Sequence, residues 1–257
     1  MAADDSSIND APSQVSDRAR GPEAFSATRW SMVFRAADDK DQRSKKDLED
    51  ICRACWYPIY AFVRRQGYSP EDSQDLAQGF FAHVLQNNVL SHADPERGRF
   101  RSFLLGAVRH FVSNEARKNR AEKRGGRITF VPVDCDEGEE RYEREIAHPD
   151  TPEKLFQRSW AENLLQRALD ALKRDYERQG KVNLFNALQP FLAGGSNPDS
   201  YQGLGKQLGM SSGTVAVAVF RMRKRYGEVL RHEIAQTVED PADIEQEIRL
   251  LLDAVAA

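Results

Sequence analysis

The chain has 257 residues, 40% apolar and 30% charged, with a formal net charge of −3 and three cysteines. No apolar run approaches the roughly 18 residues of a membrane span, so membrane insertion is excluded, and three cysteines exclude a disulfide framework. The N-terminus lacks the charged-then-apolar pattern of a secretory leader, which makes the cytoplasm the expected location, and the near-neutral balance excludes a protein that is basic throughout.

Residues 1–25 are rich in Asp, Ser, Ala and Pro with almost no large apolar side chain, the composition of a disordered tail. A helix over about 44–66 places Leu48, Cys52, Cys55, Ile59 and Phe62 on one stripe. A second opens at Ser69-Pro70, a cap followed by proline in the first turn, and runs to about Gln86. It turns Leu76, Ala77, Phe80, Phe81, Val84 and Leu85 inward and Glu71, Asp75 and Gln78 outward. The loop SHADPERGR leads into a third helix, about 99–122. Phe100, Phe103, Leu104, Ala107, Val108 and Phe111 form its inner face; Ser102, Arg109, Ser113, Arg117 and Arg120 form the reverse. Residues 125–150 break the pattern, with a short extended piece at 128–133 and an acidic run, and read as a linker. Helices then follow over about 153–179, 182–193, 199–208 and 212–234. A last amphipathic stretch, 241–255, carries Ile244, Ile248, Leu251 and Leu252 at helical spacing. Its apolar stripe reads as packing on the second block, with a partner-binding face as the alternative. The expected fold is all-α, in two helical domains of 26–125 and 153–236, joined by an acidic linker of 126–152 and followed by an extension of 237–257.

Charge along this chain is segregated. Arg97 to Arg127 holds ten Lys/Arg against two acids, and Asp134 to Glu145 holds seven acids against two Arg. Segregation of this kind makes distinct electrostatic patches. The stretch YQGLGKQLGMSSGTVAVAVFRMRKRY has the signature of a helix-turn-helix. Tyr201, Leu204 and Leu208 share one face; Gly209 turns the chain, Met210 plugs the angle, and Ser211 or Ser212 caps the next helix. On that helix Val215, Val219, Met222, Tyr226 and Val229 face inward. Gly213, Val217, Phe220 and Lys224 face out, flanked by Arg221 and Arg225. An aromatic among cations on an outward face has a use in a DNA groove, where it meets bases while the cations meet phosphates. The other reading is a helical hairpin whose Phe220 packs on a neighbouring domain. The Arg109/Ser113/Arg117/Arg120 stripe, with Asn114 and Asn119 interleaved and KNRAEKRGGR at its end, is dense enough for phosphate contact.

EDSQDLAQGFF resembles the acidic-then-aromatic signature of region 2 in bacterial RNA polymerase sigma factors. RGRFRSFLLGAVRHFVSNEARKNR resembles the promoter-melting helix that follows it, and the helix-turn-helix resembles region 4. The layout without an intervening region 3 is similar to the extracytoplasmic-function group, over about residues 28–125 and 153–233. The resemblance implies a transcription initiation factor that binds core RNA polymerase and promoter DNA. It implies that Glu71, Asp72, Asp75 and Gln78 face the polymerase, with Asp72 and Asp75 docking on its clamp helices. It places Arg97, Arg99 and Arg101 near the −10 strand, with Arg109, Ser113, Asn114, Arg117 and Arg120 lining the melted DNA. Ser211, Ser212, Thr214, Val217, Phe220, Arg221, Lys224 and Arg225 would meet the −35 element, and the acidic linker would thread the RNA-exit path. The chain departs from the family at Gln74 and Gly79, where acids are frequent, and at Ala216 and Ala218, where cations are. Control by an anti-sigma protein, by a kinase or by the chain's own tail stays open. So do two other functions: a helix-turn-helix regulator that binds duplex DNA without polymerase, and a helical adaptor that binds only proteins.

Other motifs point away from chemistry. Cys52-Arg-Ala-Cys55 shares the apolar stripe and has no second cysteine pair, so buried thiols are expected. Ser73 lies on the Phe80 side of its helix, where a phosphate would face apolar groups. With no phosphate-cradling glycine loop, metal-ligand pattern or nucleophile–base pair, neither enzyme activity nor a cofactor is expected.

Overall fold

The computed structural model describes residues 42–87, 89, 99–121, 135–145, 150–192, 198–238 and 240–256. It is all-α, as the periodicities predict: among the described residues there is no strand. The helices are α1 (Gln42–Arg65), α2 (Pro70–Gln86), α3 (Phe100–Ala121), α4 (Cys135–Glu145), α5 (Pro152–Arg178), α6 (Val182–Leu188), α7 (Pro198–Leu208), α8 (Ser212–Ala235) and α9 (Ile244–Ala256). Among the described residues no helix is long and apolar enough to cross a membrane. The expected tail over 1–25 and the extended piece at 128–133 lie outside the described residues.

Caps and stripes account for the boundaries. Ser69 accepts a hydrogen bond from the Asp72 backbone N–H at 3.0 Å, and Pro70 supplies the fixed first turn of α2. Thr151 and Pro152 start α5 in the same way. Cys52, Cys55, Ile59 and Phe62 are all buried on one side of α1, and neither cysteine forms a disulfide. Pro58 stands inside α1, where it removes a backbone donor; burial of the Tyr57–Val63 stretch around it holds the helix.

The apolar clusters do not follow the expected domain limits. The main core joins Cys55, Ile59 and Phe62 of α1, Phe80 of α2, Phe100, Leu104 and Val108 of α3, and Phe156, Trp160 and Leu164 of α5, and it also takes Ile234 of α8 and Leu251 of α9. The second core holds Leu172 of α5 with Phe185, Leu188, Leu204, Val215, Val219 and Met222. Helix α5, 27 residues and about 40 Å long at 1.5 Å per residue, therefore belongs to both. Its first half continues the block expected to end at residue 125, because the Phe156/Trp160/Leu164 stripe has the apolar face of α1 to cover.

The acidic run is likewise part of the packed structure. Tyr142 of α4 is buried in a cluster with Trp56, Tyr57, Tyr60, Ala61 and Leu155. Arg64 donates to Glu139 at 2.7 Å, Tyr57 donates to Glu145 at 2.7 Å, and Tyr60 also donates to Glu139. The Arg141 guanidinium lies 3.8 Å over the Tyr57 ring and pairs with Glu162 at 2.7 Å. The hydrogen bond from Arg64 holds the Glu139 carboxyl below its ordinary range, whereas burial, with Glu145 beside it, pushes the Tyr57 hydroxyl up. The linker expected over 126–152 thus contains a docked helix whose carboxylates Glu139 and Glu145 are already paired.

Close approach makes this docking sensitive to a single methyl. A Cβ at Gly138 would sit 2.6 Å from the Trp56 ring, which is itself stacked on Tyr60 at 4.9 Å and cannot swing away. Gly138→Ala should raise the intrinsic propensity of α4 by up to about 1 kcal/mol and still detach it. The check is limited proteolysis: cleavage within 135–145 should rise several-fold, and unchanged protection would show that α4 is held otherwise.

Candidate nucleic-acid interface

The helix-turn-helix is built by α7 and α8. Gly209 adopts φ +68°, a conformation that glycine reaches without steric cost. The Met210 N–H then donates to the Gly205 carbonyl at 2.9 Å, an approach so close that a Cβ at Gly205 would lie 2.6 Å from the Met210 oxygen. Met210 does not plug the angle, because its side chain is 39% exposed; the backbone closes the turn instead. Ser211, not Ser212, is the cap. Its hydroxyl accepts from the Thr214 N–H at 3.1 Å and sits 2.8 Å from the Thr214 hydroxyl. The two hydroxyls are therefore engaged in ending the turn, and Ser212 is exposed beside them.

Val215, Val219 and Met222 are buried and Tyr226 and Val229 partly so, which fixes the rotation of α8. The rotation leaves Val217 49% and Phe220 69% exposed. Arg221 and Lys224 are exposed next to them, while Arg225 is tied to Asp175 at 2.9 Å and Glu228 at 3.2 Å. Ala218 packs against the second core. Arg223 is structural, donating to the Phe191 carbonyl at 2.6 Å.

A cleft of about 600 Å³ opens beside α8, with Arg221 and Arg225 on one wall and Arg178 and Lys181 on the other. Asp175 lies in the same cleft and pairs with Arg178 and Arg225. Burial alone would raise its carboxyl, yet the hydrogen bonds from Arg225 and Arg178 hold it below its ordinary range. Arg178 and Lys181 were not foreseen. The stretch KRDYERQGK sets four cations against two acids, an excess too small to stand out beside the run at 97–127.

On α3, Arg109, Ser113 and Arg117 stand on the exposed face and Asn114 is half-buried. Arg117 donates to the Ser113 hydroxyl at 3.3 Å, and the Asn114 amide lies 3.2 Å from the His110 ring nitrogen Nδ1. Arg109 is 3.7 Å from Glu153, both exposed, a pairing worth about 0–1 kcal/mol and easily exchanged for another anion. Arg120 lies on the same helix with its side chain outside the described residues, and Arg97 lies outside them altogether.

Arg99 and Arg101 depart from the expectation. Neither stands on the open face. Arg101 is 9% exposed and grips Glu247 of α9 through two hydrogen bonds, 2.6 and 3.1 Å, and it also donates to Gln157 of α5. Arg99 pairs with the same carboxylate at 2.6 Å. In this conformation both arginines are engaged within the fold, because the α9 stripe, buried at Leu251, carries Glu247 to the start of α3. Sequence spacing holds no signal for a pair 146 residues apart.

The acidic set lies together in the first half of α2: Glu71, Asp72 and Asp75 are exposed, and Gln78 is half-buried. Carboxylates at a helix N-terminus also meet the positive end of its dipole. Ser73, between them, is fully buried, and its hydroxyl has no hydrogen-bond partner. No family model matches the chain, and comparison with curated proteins and with solved structures gives no match either.

Proposed function

We propose that the chain is a sigma-like transcription initiation factor of the extracytoplasmic-function type, which binds core RNA polymerase, contacts −35 and −10 promoter elements and promotes melting. The observation that carries the reading is Phe220, 69% exposed on the second helix of a tight helix-turn-helix. Leaving a large aromatic in water is unfavourable by roughly 25 cal/mol per Å² of apolar surface, so an occupant that covers it gains that energy. Val217 extends the apolar patch, with Arg221 and Lys224 exposed on the same helix, and Arg221 also lines the cleft that holds Arg178 and Lys181. This is the polarity of a major-groove contact, apolar towards base edges and cationic towards phosphates. The exposed Arg109/Ser113/Arg117 stripe on α3 supports a second, strand-binding surface, and Glu71, Asp72 and Asp75 support docking on a basic partner.

Run-off transcription with core polymerase and genomic promoter fragments tests the whole reading. Binding to duplex operator without retention by polymerase would instead support a plain helix-turn-helix regulator, and polymerase retention without salt-dependent DNA affinity would support an adaptor. Within the reading, Phe220→Ala should weaken binding to a −35 duplex about tenfold, about 1.4 kcal/mol, and leave single-strand binding unchanged. Equal loss of both would take Phe220 out of the duplex contact.

A further inference from the structure

We infer that the C-terminal segment, residues 236–238 and 240–256, is a built-in latch: it presents Glu247 to the arginines at the start of α3 and keeps them covered until a nucleic-acid strand displaces it. The inference rests on the reading above, since it takes Arg99 and Arg101 as ligands of the −10 strand.

Two observations converge on the start of α3, and a third anchors the segment that supplies them. Glu247 is 1% exposed and faces two guanidiniums; its carboxylate makes the charge-assisted contacts that a phosphodiester oxygen would make. The Phe100 N–H, one of the orphan donors at the start of α3, points to the Thr237 carbonyl at 3.5 Å, so the same segment also covers this helix end. Helix α9 is meanwhile anchored on the other side. Ile244, Ile248 and Leu251 pack in the main core, which Leu164 and Ile234 share, and Glu245 pairs with Arg231 of α8 at 2.8 Å. One short helix therefore ties the start of α3 to α5 and α8.

Size gives an independent reason for an opening step. Elements centred near −35 and −10 are about 25 base pairs apart, about 85 Å at 3.4 Å per pair. A compact fold of some 200 residues has a radius of gyration of about 16 Å and a diameter near 45 Å. A fold of that size cannot reach both elements while α5 is packed in both cores. Opening must also part α5 from α1, which polymerase binding would have to drive. The Glu247 contact is the part for which a strand competes directly, anion for anion.

The test compares the full chain with Glu247→Gln for binding of a short thymine-rich single-stranded oligonucleotide across a salt series, alongside retention by core polymerase. The variant keeps the side-chain volume and removes the charge. Its affinity should rise about tenfold, and its salt slope should steepen by about 1.4 for two released cations at about 0.7 each. Equal affinity and slope in the two proteins, with polymerase retained, would overturn the latch and leave the initiation-factor reading standing. Loss of both polymerase and strand binding in the unaltered chain would overturn the reading itself, and the latch with it. Hydrogen exchange on the unaltered chain decides the matter even if the variant does not fold. Amides of 244–256 should lose protection when the oligonucleotide saturates the protein, and unchanged protection in the saturated chain would overturn the latch.

Discussion

Trp160→Ala should remove roughly 3–5 kcal/mol of stability, a large share of the roughly 5–15 kcal/mol that a folded domain has. Trp160 is fully buried, with its ring 6.1 Å from both Phe100 and Phe156. It stands in the cluster where α1, α2, α3, α5, α8 and α9 meet, so truncation leaves a void that six helices cannot all close around. Urea unfolding followed by far-ultraviolet circular dichroism measures the loss. Phe220→Ala is the internal control: an aromatic-to-alanine truncation at an exposed site should change stability by no more than about 0.5 kcal/mol. If the two substitutions cost the same, the junction is not packed as described.

On the proposed initiation-factor reading, charge reversal at Asp72 and Asp75 together should abolish retention by core polymerase. Both carboxylates are exposed in the first turns of α2, and each replacement by lysine changes the local charge by two units. On a basic docking surface, attraction becomes like-charge repulsion, which costs several kcal/mol and weakens binding at least about a hundredfold. The fold should survive, because the Ser69 cap accepts from a backbone N–H that the substitution keeps. Only the dipole contribution of Asp72 is lost, about 0.3–1 kcal/mol, since Asp75 lies beyond the first turn. The readouts are retention on immobilised core enzyme and helix content by circular dichroism. Unchanged retention by a folded double variant would take α2 out of the docking surface.

Sequence periodicity carries these predictions where a helix buries one clear stripe. The rotation of α8 follows from Val215, Val219 and Met222, and with it the exposure of Phe220. The boundaries of α2 follow from Ser69 and Pro70, where local chemistry fixes the cap. Periodicity carries no such information where the partner is distant in the chain. Helix α4 has Tyr142 as its one buried large apolar residue among the described positions, and its remaining hold is polar, through Arg64 and Tyr57, 75 and 88 positions away, and through Glu162, 21 positions away. Its sequence consequently looks like a solvated linker. An arginine on an open face and an arginine paired with a buried carboxylate read alike in a sequence, so only the position of Glu247 separates Arg99 and Arg101 from Arg109. The bridging role of α5 was hidden for a related reason: an apolar stripe says that a face is buried, not which core buries it.

That bridging has a practical consequence for anyone dividing the protein into fragments. A cut in the segment before α5, the conventional place to separate two modules, would strip Phe156, Trp160 and Leu164 of their cover on one piece and leave a matching hole in the other. Neither half would be a clean, soluble reagent.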